Sequence, residues 1–434
     1  MMNRLMGLLL VLPALLWLGC AATSAPQKAS VDKKVLGKLK AKLNADSTNS
    51  EAWRELGVIY FKMQENPRAK TCLKNAYRRN PQDPKAGFYL GMAFEFENRR
   101  DLALKLYEGY NSVSRLSPYR KLLAGRYQLL TRQTLRAELR ALLQQEQRLG
   151  AASISSQCIA VFPFRYLGQD KKFASLGRGL SEMMITDLGK VRELKLLERI
   201  RLQILLDEIA LAQTEAIDKN SAPRFGKLLG AGRIIAGTYN VLPSERVQLE
   251  ILSWDIANRQ VPAATNAAEA LKNLFKAEKD LVFKLIAKMG IELTPQEREK
   301  IQLIPTKNLQ AFLAYCQALE KEDDGQFNAA LQLYQKAVQL DPTFSNAKMK
   351  AETAAGLSQV GGSKEQAFAA AQAAENFSEG AAPKDLVTVR LNNLGSGIGA
   401  NLMSGQETRE PAEEADLSGA GLGGSLQRPL PPPK

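Results

Sequence analysis

The sequence predicts a mixed-sheet α/β domain with helical crossovers, set between two all-α segments of helical repeats. Two observations predict it. Residues 53–107 are self-similar at an interval of 34 (Leu56 and Gly57 return as Leu90 and Gly91). From about 151 to 295 the pattern changes to short β-rich runs alternating with helical ones. A third observation bounds the chemistry. None of the 434 residues is histidine, which removes Ser-His-Asp and Cys-His nucleophiles, His-ligated zinc and His general bases together. No carboxylate, Lys or Tyr pair stands out at a meaningful spacing, so the expectation is a protein that is not an enzyme and uses no cofactor.

The first nineteen residues, "MMNRLMGLLLVLPALLWLG", place Arg4 before an apolar run from Leu5 to Leu18. That is the layout of a secretory signal, and the run is short for a membrane span. The run stops at Gly19-Cys20, and "LWLGC" resembles a bacterial lipobox, with Trp17 where Leu or a smaller residue is usual. The resemblance implies diacylation of Cys20 as the mature N-terminus. Ala21 rather than Asp after the cysteine implies sorting to the outer membrane, facing the periplasm. Residues 20–32 read as a flexible tether. The remaining cysteines, Cys72, Cys158 and Cys316, are far apart and fall on apolar faces, the pattern of buried free thiols.

Residues 33–118 hold two repeats. Besides Leu56/Leu90 and Gly57/Gly91, Tyr60 pairs with Phe94, Ala69 with Ala103, and Leu73 with Tyr107; Trp53, Ala76 and Pro81 complete the first copy. The pattern resembles the tetratricopeptide repeat. Small residues at 57 and 69 let antiparallel helices approach, and Pro81 ends the second helix. In such arrays the first helix of each repeat lines the concave face. Outward positions then fall on Glu51, Arg54, Val58, Phe61 and Lys62, and on Lys85, Phe88, Met92, Glu95 and Phe96. Val58, Phe61, Phe88, Met92 and Phe96 form an apolar strip rimmed by Arg54, Lys62 and Lys85. The strip is either a protein-binding groove or the seat of the following helix folded back over it, and the second reading is preferred.

That helix, 119–150, is amphipathic and basic. Leu129, Leu130, Leu135, Leu139, Leu142 and Leu143 recur at helical spacing, and Arg120, Lys121, Arg126, Arg132, Arg136, Arg140 and Arg148 make a face expected to be solvated, the alternative being contact with anionic lipid or cell-wall material. A further repeat over 305–375 rests on Gly325, Ala330, Tyr334, Ala337 and Pro342, followed by a degenerate pair broken at Gly361-Gly362. From 376 the chain loses periodicity and reads as a disordered Gly/Pro-rich tail ending in "PLPPPK".

Within 151–295, "CIAVFPF", "LKLLER", "GRIIAGTYNVL" and "VQLEILSWDI" read as strands. "GRGLSEMMITDLGKV", "IRLQILLDEIALAQ", "APRFGKLLGA" and "AEALKNLFKAEKDLVFKLIAKMGI" read as helices. The glycines at 230, 232 and 237 suggest a phosphate loop. A nucleotide fingerprint needs strand, glycines, then helix. Here a helix precedes Gly230 and a strand follows Gly232, so the glycines stop a helix and start a strand.

The segments "IAVFPF", "GRGLSEMMITDLGKVRELKLLERIRLQILLDEI", "LGAGRIIAGTYNV" and "VQLEILSWDIANRQV" together resemble the CsgG family of bacterial outer-membrane lipoproteins, which includes the curli-secretion channel and relatives fused to tetratricopeptide repeats. TolB-like N-terminal domains share the opening strand and helix. The resemblance implies an α/β CsgG-like domain, an envelope location and no catalytic residues. Channel-forming members build their barrel from two long hairpin insertions. Here "LPSER" and "PAATNAAEA" stand in those places, too short for strand pairs of about 9–11 residues each.

The expectation is therefore a lipid-anchored, non-catalytic scaffold in envelope assembly or secretion. Its repeats would bind other envelope proteins, and an oligomer is compatible with the sequence. The alternatives are an oligomeric CsgG-type channel component and a TolB-like regulatory module. The +14 net charge comes with no RNP-like motif, zinc-finger spacing or Lys/Arg block, so no nucleic-acid partner is expected.

Overall fold

The computed structural model describes residues 33–148, 154–209, 217–218, 220–258 and 263–380. The signal, Cys20, the tether and the tail beyond 380 lie outside the described residues. The described residues up to Asn376 form one compact unit, so repeats and sheet share a single body.

Helices α1 (Lys33–Ala45), α2 (Ser50–Lys62), α3 (Asn66–Arg79), α4 (Pro84–Phe96) and α5 (Arg100–Tyr107) open the chain. Asn49 and Asp83 cap α2 and α4 by accepting from backbone N–H groups of the first turn. Two positions beyond α2 and α4 stand residues with positive φ, Gln64 (62°) and Asn98 (58°), one repeat length apart. The small residues act as the sequence suggested. A Cβ on Gly57 would lie 2.7 Å from Leu73 Cγ, and one on Gly91 would lie 2.2 Å from the Tyr107 ring.

Helix α6 (Pro118–Gln144) joins two cores. Its first half, with Tyr119, Leu122, Leu123 and Leu130, packs with the N-terminal repeats. Leu135 and Leu139 in its second half pack on the sheet. Twenty-seven helical residues make a rod of about 40 Å, long enough to serve both.

The sheet has strands β1 (Ser155–Val161), β2 (Arg165–Tyr166), β3 (Lys195–Leu196), β4 (Ala231–Leu242), β5 (Arg246–Asp255) and β6 (Ala263–Ala270). Its order is β3-β1-β4-β5-β6, with β2 beside the far end of β4. β3, β1 and β4 run parallel, and β4, β5 and β6 form an antiparallel meander. Alternation sorts the side chains. Ile159, Val161, Ile235, Tyr239, Val247, Leu249 and Ile251 face α7 (Leu176–Leu188) and α10 (Leu274–Lys288). Ala160, Phe162, Ile234, Ala236 and Trp254 face α8 (Arg199–Glu208), α9 (Ala222–Leu229) and the end of α6.

Helices α11 (Pro295–Gln302), α12 (Leu309–Asp323), α13 (Phe327–Leu340), α14 (Ser345–Val360) and α15 (Lys364–Gly380) return the chain to its start. α12 sits on α7, where a Cβ on Gly179 would meet Cys316 Sγ at 2.2 Å. α14 crosses α6 at paired glycines, and a Cβ on Gly125 would meet the Gly356 carbonyl at 2.3 Å.

Four expectations are corrected. "PAATNAAEA", read as a loop before the last helix, supplies β6, and α10 starts at Leu274. Alanine is a poor strand former, but pairing of all eight residues with β5 overrides it. "LKLLER" contributes only two strand residues. α11 was not anticipated, although Thr294 and Glu297 form a capping box around Pro295. The segment from 376, read as tail, begins inside α15.

Candidate functional site

The five apolar residues proposed for a groove are brought together, but as core. Val58, Phe61, Phe88 and Met92 are buried, and only Phe96, at 39% exposed, reaches the surface. The expectation that the 119–150 helix covers the strip accounts for half of this. Tyr119 of α6 lies 5.9 Å from Phe88 between ring centroids. The other half is α15, which sequence reasoning missed. Phe368 sits 5.4 Å from Phe61 and 6.4 Å from Tyr89, with Ala367 and Ala371 buried on the same face. The signal was present in "KEQAFAAAQAAENF", an alanine-rich helix with apolar residues at 367, 368, 371 and 374.

Both ends of the filled groove are polar. At one end the Glu375 carboxylate accepts from Lys62 Nζ (2.5 Å), Tyr89 Oη (2.8 Å) and Tyr119 Oη (3.2 Å), with Lys85 Nζ at 3.5 Å. Burial would raise the Glu375 carboxyl, but Lys62, Lys85 and Tyr89 outweigh it and hold it below the usual range. Arg54 and Lys85, predicted as rim charges, pair with Asp83 and Glu55. At the other end Arg126, 2% exposed, pairs with buried Glu95, and Tyr107 Oη donates to the same carboxylate at 2.8 Å. Lys364 Nζ donates to the Glu95 carbonyl at 2.7 Å and lies 5.2 Å from the Phe96 ring centre. The arrangement recognises one helix face by an aromatic, small residues and a carboxylate seven positions after the aromatic.

Part of the basic face of α6 also turns inward. Arg120 donates to the carbonyls of Tyr110, Asn111 and Val113. Arg132 pairs with Glu322 at 2.7 Å, and Arg136 and Arg140 pair with Glu208. The expectation of a solvated face is corrected for Arg120 and Arg132, which bind the loop before α6 and a carboxylate of α12, whereas Arg136 and Arg140 stay exposed while pairing with Glu208.

Where α6, α7, α8, α12, α13 and α14 meet, their charges form one buried network. Arg199 reaches Glu182 (3.1 Å), Glu322 (3.8 Å) and Asp323 (2.5 Å). Arg178 pairs with Asp323 at 3.1 Å, Lys350 approaches Glu322 at 3.4 Å, and Tyr334 Oη donates to Glu322 at 2.6 Å. Burial opposes ionisation of Glu322, but Lys350, Arg199, Arg132 and Tyr334 hold its pKa down to about 2.

A second buried cluster lies between α7 and α10. Asp187 pairs with Lys190 (2.7 Å) and with Lys279, while Glu278, 1% exposed, has Lys279 Nζ at 3.5 Å and no hydrogen-bond partner for either oxygen. Burial first, then the Asp187 charge, raise Glu278 to about 8. A carboxyl raised in the folded state binds a proton there that the unfolded chain has lost. Its penalty is absent below about pH 4.5 and complete above pH 8, so stability falls across that window. Glu278→Gln should abolish this slope and raise Tm at pH 8.5 by several degrees, since a rise from 4.5 to about 8 at about 1.4 kcal/mol per pKa unit is on the order of 5 kcal/mol. Thermal scans from pH 5 to 9 check it, and an unchanged slope refutes it.

The glycines of 229–241 are structural. Gly230 is the left-handed cap of α9 (φ 67°), and a Cβ on Gly232 would meet the Ser155 carbonyl at 2.4 Å across the parallel pair. Cys72, Cys158 and Cys316 are free thiols, the first and last buried, and burial pushes Cys72 up to about 11. Among the described residues no cluster of three or more Cys, Asp or Glu side chains is placed to hold a metal ion, and no helix is long and apolar enough to cross a membrane.

Fold and site together define a mixed α/β domain built into a helical-repeat shell whose concave face is filled from within. Residues 130–241, from the middle of α6 to the end of β4, match the family described as Curli production assembly/transport component CsgG. No curated protein matches the chain. Similar solved structures include the LpoB C-terminal domain from Salmonella enterica, at 12% identity and TM-score 0.21 over 31% of this chain and 94% of that one. Lipoprotein GNA1162 from Neisseria meningitidis gives 14% identity and TM-score 0.23 over 32% and 99%. The APC/C hetero-tetramer Cut9-Hcn1 gives 11% identity and TM-score 0.21 over 74% of this chain and 46% of that one.

Proposed function

We propose that this is a non-catalytic scaffold of the bacterial envelope, lipid-anchored at Cys20 on the periplasmic side of the outer membrane, serving assembly or secretion. The observation that carries this reading is the segment matching the CsgG family, joined without a break to helical repeats. The lipobox-like "LWLGC" supports the anchor, and the absence of histidine supports a role in binding. A scaffold is favoured over a channel by one hairpin. β4 and β5 are joined by three residues, 243–245, with Glu245 at φ 53°, where a membrane hairpin would need two further strands.

Two measurements test the reading. Mass spectrometry of the mature N-terminus should find an acylated Cys20, and Cys20→Ala should move the protein to the soluble fraction; a mature terminus at Ala21 or beyond sinks the anchor. In planar bilayers the purified protein should give no stable conductance. Reproducible steps that vanish when 238–252 is deleted would make it a channel.

A further inference from the structure

We propose that Lys284 and Lys288 lock the outer edge of β6 against pairing with β6 of a second copy. β6 ends the sheet, and among the described residues no strand lies beyond it. Its eight residues, AATNAAEA, hold five alanines, no proline and the single charge of Glu269. A flat edge of small residues is a template for another strand. The ladder fixes which groups are on offer. Arg246 faces Ala270 across β5 and β6, and Leu271 N–H donates to the Glu245 carbonyl at 2.7 Å. Odd-numbered residues of β6 therefore bond to β5, and Ala264, Asn266, Ala268 and Ala270 turn their N–H and C=O groups outward. Two of those four carbonyls are taken. α10 packs against β6, and Lys284 Nζ donates to the Asn266 carbonyl at 3.1 Å and Lys288 Nζ to the Ala264 carbonyl. Four helical residues rise about 6 Å and two strand residues span about 7 Å, so lysines at this spacing match alternate carbonyls of the edge.

The occupant is a second copy because β6 complements itself. Two such edges related by a twofold axis through Ala267 run antiparallel, with Ala264 opposite Ala270 and Asn266 opposite Ala268 of the second copy. All the outward residues then pair. Glu269 falls opposite Thr265 and not opposite its own copy, so no like charges meet. Ala264, Asn266 and Ala268 are exposed, and none is bulky enough to hold two backbones apart. In this register the Ala264 and Asn266 carbonyls must accept from Ala270 and Ala268 N–H groups. Both already hold an ammonium group. Pairing has to break those charged hydrogen bonds in each copy and seat the displaced lysines beside the seam.

The test uses the full mature chain carrying Cys20→Ala, which takes no lipid, in analytical ultracentrifugation. This parent is expected to stay monomeric to about 0.1 mM, and Lys284→Ala with Lys288→Ala to dimerise at concentrations lower by roughly tenfold or more, because charged hydrogen bonds no longer oppose pairing. Ala268→Pro added to the double-lysine variant should restore the monomer. The Ala268 N–H points outward, so proline there takes no bond from the ladder with β5 and takes one from an added strand. Lys276→Ala with Lys307→Ala removes the same charge from exposed sites elsewhere and should stay monomeric. Amide exchange gives a reading that needs no proline. The N–H groups of Ala264, Asn266 and Ala268 should exchange fast in the parent and slow down in the double-lysine variant as its concentration rises. A double-lysine variant that stays monomeric overturns the lock, and so does a parent already dimeric with those amides protected. A dimer that forms while the three amides still exchange fast uses another surface and overturns it as well. Equal dimerisation of the Lys276, Lys307 control overturns it by reducing the effect to net charge.

Discussion

Arg199→Ala is expected to unfold about 5–10 °C below the parent. The buried guanidinium stands among three carboxylates, Glu182, Glu322 and Asp323, drawn from α7 and α12. Removing one partner from a buried ion pair costs about 3–5 kcal/mol, because the remaining charges keep their desolvation and lose their compensation. About 2 °C per kcal/mol for a chain of this size gives the shift. Arg199→Lys should fall between, since an ammonium keeps the charge but cannot fork toward three acceptors. The network also carries an acid signature. Glu322, held down to about 2, contributes stability that is complete above its unfolded value near 4.5 and is lost as pH falls toward 2. Glu322→Gln should flatten the acid limb of a Tm profile. A parent-like Tm for Arg199→Ala would mean that the network adds nothing to the joint between sheet and repeats.

Phe61→Glu should be still more damaging. Phe61 is buried among Tyr89, Phe96 and Phe368, at 5.4, 5.7 and 5.4 Å between ring centroids. Loss of the ring costs about 3–5 kcal/mol, and a carboxylate left in its place adds a desolvation penalty. Phe96→Glu, at the surface, should cost about 1 kcal/mol or less. Chemical denaturation of the two variants measures the difference directly. If Phe61→Glu proved as mild as Phe96→Glu, α15 would not occupy the groove in solution, and the strip would be open for a partner.

The sequence made the repeats legible because their determinants are local. Gly57 against Leu73 and Gly91 against Tyr107 are contacts between neighbouring helices, and steric demand at short range leaves a pattern. The order helix, Gly230, strand was legible for the same reason. β6 was not, because its eight residues, mostly alanine, are strand only by virtue of β5. The filling of the groove was half legible. A basic amphipathic helix immediately after the repeats pointed to α6, but nothing near Phe61 announces Phe368. Arg132 of α6 likewise looked solvent-facing because its partner, Glu322, lies far along the chain.

Lys62 and Glu375 are 313 residues apart, and Glu95 waits 269 residues for Lys364. A ribosome adding roughly 5–20 residues per second needs about 15–60 s to make that interval. Throughout it the two leading repeats would have their aromatic face uncovered by α15. A chain exported from its N-terminus would meet the same wait on the far side of the membrane. The last of the described helices to emerge is thus the one that completes the first structure to form, and a holdase that shields aromatic surface would act most usefully before residue 364 arrives.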